Sequence, residues 1–421
     1  MLNKKITVKL SSAILVIFLI LLISTGCGGK RTDQAETSLL GKSFDEIVKM
    51  AEGTEVNFYM WGGDQRVNAW VDNFVAERVK KEYGIKLNRI PMNAEDFINK
   101  LLGEKQLNKK EGSIDLLWIN GENFWTAKEN GLLFGPFIDK IPNYTRYLDT
   151  ASDDNLFDFG YPTEGFEAPY GRAQLVFIYD ESKIPVPPKD LEKLKELVMK
   201  NPGKFTYPAP PDFTGSAFIR NVIYETAGGY KRFIDGDMNE DELKEAIKPA
   251  WDYLNEIKPY LWKEGKTYPA ALAQQENMFA DGEVWITMSY TPFKAAGEIK
   301  KGTFPETAKT FILEKGTIGN THFLAIPFNA RNKAGAMVVI NFLQGFEAQA
   351  SKFDPENWGD LPVFDYDKLS AEERQIVENT ETGEATLSLE ELLKHRVPEM
   401  PSKFVPIIEE EWMKNVVREG N

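Results

Sequence analysis

Two histidines, His322 and His395, and one cysteine, Cys27, limit what this 421-residue chain could do as a catalyst. Zinc hydrolases pair histidines at helical spacing, and a serine triad sets a histidine against its nucleophile. Two histidines this far apart leave little room for either. Two Gly-Lys-Ser/Thr runs raise the question of a phosphate loop, which needs a glycine five places earlier. Glu36 occupies that place before Gly41-Lys42-Ser43, and Tyr260 before Gly265-Lys266-Thr267, so both runs fail. "DGDMNEDELKEA" (235–246) begins like a calcium loop, but Glu240 stands where the turn demands glycine and Ala246 where a bidentate glutamate belongs. It reads as an acidic turn capping the next helix. No catalytic residue, metal or cofactor is expected.

The residues suited to binding lie at the ends of apolar runs. Trp61-Gly62-Gly63-Asp64 follows "EVNFYM"; its glycines let a ligand approach the backbone and its indole offers a stacking face. Asn120-Gly121-Glu122 follows "IDLLWI". In "PAPPDFTGSAF", Asp212, Thr214, Gly215 and Ser216 precede a helix whose free N–H groups could hold an anion or polar head. An ordinary N-cap is the alternative there. Tyr290 ends "VWITMSY", and His322 starts a strand that would cross between domains, either as a ligand contact or as a satisfied structural histidine.

Elements that could position these corners follow from periodicity. "EVNFYMW", "IKLNRI" and "SIDLLWING" read as strands, separated by helices over "VNAWVDNFVAERVKKEYG" and "NAEDFINKLL" and followed by one over "ENFWTAKENG". Strand and helix in alternation give an open α/β unit with a parallel sheet, in which ligands bind beyond the carboxyl ends of the strands. "APYGRAQLVFIYD" (168–180) is a long apolar strand, "KFTYPAP" and "GEVWITMSY" are further strands, and "EDELKEAIKPAWDYLNEIKPYLW" is an amphipathic helix. "THFLAIPFNA" is a strand followed by the helix "KAGAMVVINFLQGF".

At the amino end, Lys4, Lys5 and Lys9 precede an apolar run over 10–23 and then small residues, the layout of a secretory signal. Ser24-Thr25-Gly26-Cys27 resembles the lipobox of bacterial lipoproteins, with Ser24 where that pattern prefers leucine. The resemblance implies a lipidated Cys27 as mature N-terminus. "GGKRTDQAETSLLGKS" reads as a flexible tether. A net charge of −14 argues against nucleic acid, whose phosphates require a basic stripe.

The runs "VNFYMWGG", "IDLLWINGENF", "APYGRAQLVFIYD", "PAPPDFTGSAFIR", "MFADGEVWITMSYTP", "GTIGNTHFLAIPFNA" and "AGAMVVINFL" together resemble the family 1 extracellular solute-binding proteins of bacterial ABC importers, most closely the YnjB-type group. The resemblance implies a type II periplasmic-binding fold: two α/β lobes with a central ligand cleft and crossing hinge strands. Carried onto this chain, 1–26 is the lipoprotein signal and 27–53 the tether. Lobe 1 spans 54–172 with 321–347, and lobe 2 spans 173–320 with 348–421. It implies a non-enzymatic, monomeric receptor, lipid-anchored on the extracytoplasmic face of the cell membrane. That receptor would hand a small polar or anionic solute to an ABC permease. Trp61, Gly62, Gly63, Asp64, Asn120, Gly121, Glu122, Asp212, Thr214, Gly215, Ser216, Tyr290 and His322 are its candidate ligand contacts. A secreted hydrolase and a surface or adhesion lipoprotein are the competing readings.

Overall fold

A computed structural model describes residues 39–234 and 238–417. The signal, Cys27 and the first part of the tether lie outside the described residues, as does the start of the acidic turn at 235–237.

The end of the segment expected as tether is folded. Leu39 is buried, and helix α1 (Phe44–Ala51) turns Ile47 and Ala51 into the core. Its amino end carries a reciprocal cap: the Ser43 hydroxyl accepts from Glu46 N–H, and the Glu46 carboxylate accepts from Ser43 N–H. The polar flank of "TSLLGKSFDEIVKMA" disguised an amphipathic turn whose apolar face docks on the helix at 333–343.

Strand β1 (Glu55–Met60) pairs in parallel with β2 (Lys86–Pro91) and β3 (Leu116–Ile119). Helix α2 runs through Gln65–Ala69, a π-type stretch at Trp70–Val75, and Ala76–Tyr83, where Gly84 in the left-handed region (φ 69°) ends it. Helix α3 (Ala94–Gln106) joins β2 to β3, and α4 (Gly121–Glu129) follows β3. This is the parallel unit that the periodicity predicts.

The long apolar run at 168–180 divides in two. Strand β4 (Glu167–Gln174) joins the first sheet and β5 (Val176–Asp180) the second, with Leu175 between them. Helices α5 (Phe213–Thr226) and α6 (Lys248–Ile257) cover the second sheet's core. That sheet is antiparallel, β5 lying between β6 (Ile286–Ser289) and β7 (Ala308–Phe311). Helix α7 (Lys294–Lys300) follows β6. "KFTYPAP" buries Phe205–Pro208 but lies in no ladder, since its prolines lack the donor a strand needs. The long amphipathic helix breaks at Ile247, because Pro249 fits only a first turn and α6 starts anew around it.

Strand β8 (Thr317–Ala325) is the second crossing. It pairs with β4 along its length, with β3 near its carboxyl end and with β9 (Arg396–Pro398) near its amino end. It starts at Thr317, so His322 lies well inside it. Helices α8 (Lys333–Leu343) and α9 (Val405–Trp412) complete the elements used below. The two largest of five apolar clusters among the described residues form the centres of the two halves. One gathers Val56, Phe58, Val71, Tyr170, Leu324 and Val339; the other gathers Phe177, Phe218, Trp251, Leu254, Met288 and Trp412. The tail expected in lobe 2 divides between them: Ala348, Trp358, Val363, Phe364 and Leu369 join the first core, and Val397, Met400, Phe404 and Trp412 the second.

Candidate functional site

The Trp61–Asp64 corner leaves β1 and enters α2. Trp61 is 40% exposed and its indole lies over Gly63, where a Cβ would come within 2.2 Å of the ring. Gly62 is pressed against Pro91, which a Cβ would meet at 2.6 Å. Asp64 caps α2, accepting from the N–H groups of Arg66 (2.8 Å) and Val67 (3.4 Å). Its second oxygen takes Lys294 Nζ of α7 at 2.9 Å. Lys294 also reaches Glu276 at 2.5 Å, and Arg66 Nε pairs with Glu298 at 3.0 Å. Asp64 and Arg66 belong to the first lobe, Glu276, Lys294 and Glu298 to the second, so this corner joins the lobes by buried charge. Burial works to raise the Asp64 carboxyl, but Lys294 and Arg66 outweigh it and hold the group well below the ordinary range.

The second corner faces the other lobe. Asn120 accepts from Trp118 Nε1 (2.9 Å) and donates to the Thr321 carbonyl (2.5 Å), tying β3 to β8. Gly121 takes a left-handed φ of 59° and donates its N–H to Asp158 at 2.5 Å. A Cβ there would meet the Phe159 ring at 3.2 Å, a second reason for glycine. Glu122, half-buried at the start of α4, faces Glu409, Arg220 and Glu399. Burial pushes its carboxyl up to about 7. Burial also raises Asp158, with Glu122 and Glu399 adding to the effect.

At the third corner the free-amide reading fails. Asp212 caps α5, accepting from Thr214 and Gly215 N–H, both at 3.0 Å, and its other oxygen accepts from Leu272 N–H at 2.8 Å. Gly215 is packed on the Pro208 carbonyl, which a Cβ would meet at 2.0 Å. Ser216, also buried, joins a charged group. Its hydroxyl donates to Glu409 (2.6 Å) and accepts from Arg220 Nη1 (2.7 Å). Arg220 Nε and Nη2 fork onto the two oxygens of Glu399, each at 3.0 Å, and the Tyr290 hydroxyl donates to Glu399 at 2.6 Å. Burial would lower Arg220, but Glu399 more than compensates, so the guanidinium stays charged. It lies over the Phe159 ring at 5.4 Å.

His322 stands apart from this group. It is buried, 3.3 Å from Asp360, which also holds the fully buried Lys352 at 3.0 Å. Trp118 meets its ring edge-on at 4.9 Å, and Gly171 leaves room for the cluster, since a Cβ there would lie 2.2 Å from Lys352 Nζ. The satisfied structural reading is the one the contacts favour. A groove of about 830 Å³ along α2 is lined by Arg66, Trp70, Phe74, Arg78, Lys301 and Asn357, among others, and by none of the candidate residues.

Sequence reasoning missed Arg220, Glu399, Glu409, Asp158 and Phe159. One signal existed for Arg220: it sits in the middle of the otherwise mostly apolar "GSAFIRNVIY", and arginine on a buried helix demands a partner. The partner, Glu399, is 179 residues away and carried no signal.

The bacterial extracellular solute-binding protein family matches residues 74–371. The chain belongs to that family. It is 35% identical to protein YnjB of Escherichia coli K12 over 372 residues, 88% of this chain and 93% of that protein. Among solved structures it is similar to an ABC transporter protein from Clostridium perfringens, with a TM-score of 0.59, 21% identity, and 87% of this chain and all of the other covered. It is also similar to the periplasmic binding protein AfuA from Actinobacillus pleuropneumoniae, with a TM-score of 0.61, 14% identity, and coverage of 86% and 98%. The solute-binding protein therefore has the type II periplasmic-binding fold and serves an ABC importer as its substrate-binding receptor, on the extracytoplasmic side of the membrane. Among the described residues no helix is long and apolar enough to cross a membrane.

Proposed function

We propose that the receptor captures its solute between the lobes, against Glu122 of the first and Ser216 and Tyr290 of the second. One observation carries the reading: corners from β3, β6 and α5 meet around the Arg220–Glu399 fork, with Glu122 and Asp158 facing it from the opposite lobe. The Asp64–Lys294 and Arg66–Glu298 pairs then close the neighbouring edge of the cleft, with Trp61 beside them. Asn120 and Gly121 shape the first wall, and Asp212, Thr214 and Gly215 build the helix start that presents Ser216. Lobe 1 comprises 39–172 with 321–369, and lobe 2 comprises 173–320 with 389–417. Closure turns on β4–β5 and β8 as a hinge. The protein binds without converting its solute, works as a monomer, and is anchored by lipid on Cys27, as the lipobox-like "STGC" implies.

The test is tryptophan fluorescence of the soluble chain beginning at residue 39, titrated with metabolites and followed by mass spectrometry of the recovered compound. A saturable change with the compound recovered unaltered is expected. Chemical conversion of the compound would overturn the reading in favour of an enzyme.

A further inference from the structure

We infer that the solute is an organic cation, its charged nitrogen held by Glu122 and Asp158 and its hydrogen-bonding part met by Asn320. This rests on the receptor reading above and names the chemical class that its cleft accepts.

Charge comes first. Glu122 and Asp158 stand on lobe 1, Glu399 and Glu409 on lobe 2, and the electrostatic neighbours of Glu122 include both lobe 2 carboxylates. The cation among them, Arg220, is already committed within lobe 2, with Nε and Nη2 on Glu399 and Nη1 on Ser216. Asp158 is 1% exposed; one oxygen accepts only the Gly121 amide and the other has no hydrogen-bond partner. Buried carboxylates without a counter-charge are costly, and a cation supplied with the solute removes that cost.

A second observation is independent of the acidic groups. Asn320 is 5% exposed, and neither its amide nitrogen nor its oxygen has a partner. On β8 it shares a face with Ile318, because strand side chains alternate. Ile318 pairs with Val397 of β9 and Gly319 with Pro398. The pairing ends there with β9; continued by one step, it would bring Asn320 beside Glu399, the residue that follows β9, on that face. A buried amide with donor and acceptor both unmet, next to the carboxylate fork, calls for a ligand carrying complementary groups. Phe213, 39% exposed and with its ring centroid 6.1 Å from that of Phe159, adds an aromatic face on which an organic cation can lie. The anionic alternative loses its site, since Asp212 already takes the amides at the start of α5.

A bacterial metabolite extract, separated by ion exchange into cationic, neutral and anionic fractions, supplies the probes. Each is added to the soluble chain and to Glu122→Gln, and the melting temperature is read. Stabilisation by the cationic fraction is expected, weakened by about tenfold in concentration dependence in Glu122→Gln. Asp158→Asn provides the same comparison should the first variant fold poorly. Stabilisation by the neutral or anionic fraction instead, or an undiminished response in the variant, would overturn the cation class while leaving the receptor reading intact. No stabilisation by any fraction would overturn both.

Discussion

Lys294→Met isolates the charged bridge between the lobes. Lys294 Nζ lies 2.9 Å from Asp64 and 2.5 Å from Glu276, and the three side chains are 6%, 8% and 14% exposed. Methionine preserves the length and apolar stem but strands two buried carboxylates, leaving Arg66, 3.7 Å from Asp64, as the nearest remaining cation. Removing one partner of a buried pair costs about 3–5 kcal/mol. Asp64 and Lys294 sit on different lobes, so the cost of stranding Asp64 falls on the joined arrangement, while stranding Glu276 weighs on lobe 2 itself in either arrangement. At about 1.4 kcal/mol per factor of ten, the joined form should lose on the order of 10²- to 10³-fold in population. The chain carries no thiol beyond Cys27, so cysteines placed at the exposed Lys81 and Thr303 can bear spin labels cleanly in a chain beginning at residue 39. Pulsed electron resonance should then give longer and broader label distances in Lys294→Met than in the parent. Asp64→Asn should shift them the same way, and the double variant should fall short of the sum. Distances that superimpose on the parent's in all three variants, with unfolding curves unchanged, would refute the reasoning. Because Asp64 is held below its ordinary value of 3.8, the bridge is fully present above that pH and is lost only as pH falls through the lowered value.

Arg220→Met should lower the free energy of urea unfolding by about 3–5 kcal/mol, since it leaves Glu399 buried without its fork. Ile47→Ala should cost about 2–4 kcal/mol in the same assay if 44–51 is part of the fold; a tether would show no change. Burial raises the Glu122 carboxyl from 4.5 to about 7, and Asp158 and Glu409 move in the same direction. An acid raised on folding contributes most below its unfolded value, and that contribution is lost as pH rises towards the folded one. Without solute, the melting temperature should therefore fall between about pH 4.5 and 7, and Glu122→Gln should flatten that slope.

Much of the scaffold could be read from the chain because local signals carried it. The parallel unit follows from the periodicity of "EVNFYM" and "VNAWVDNFVAERV", and its corners from glycines that end strands. What escaped was long-range. Nothing near Glu399 or Glu409 marks them as neighbours of Ser216 and Arg220, for the pairing exists only after the tail folds back over lobe 2. Nor could residue type tell capping from binding: Asp212 and Asp64 look equally free in sequence, yet one closes a helix and the other also crosses between lobes. The single break at Leu175 is invisible in an unbroken apolar run, although it is where one strand passes from the first sheet to the second.

Amide hydrogen exchange, with and without the metabolite fraction that stabilises the protein, tests the central claim most directly. A solute held between the lobes should protect 120–125 and 157–160 on one side together with 213–220, 288–291 and 398–409 on the other. Protection confined to a single lobe, or to the groove along α2, would contradict it.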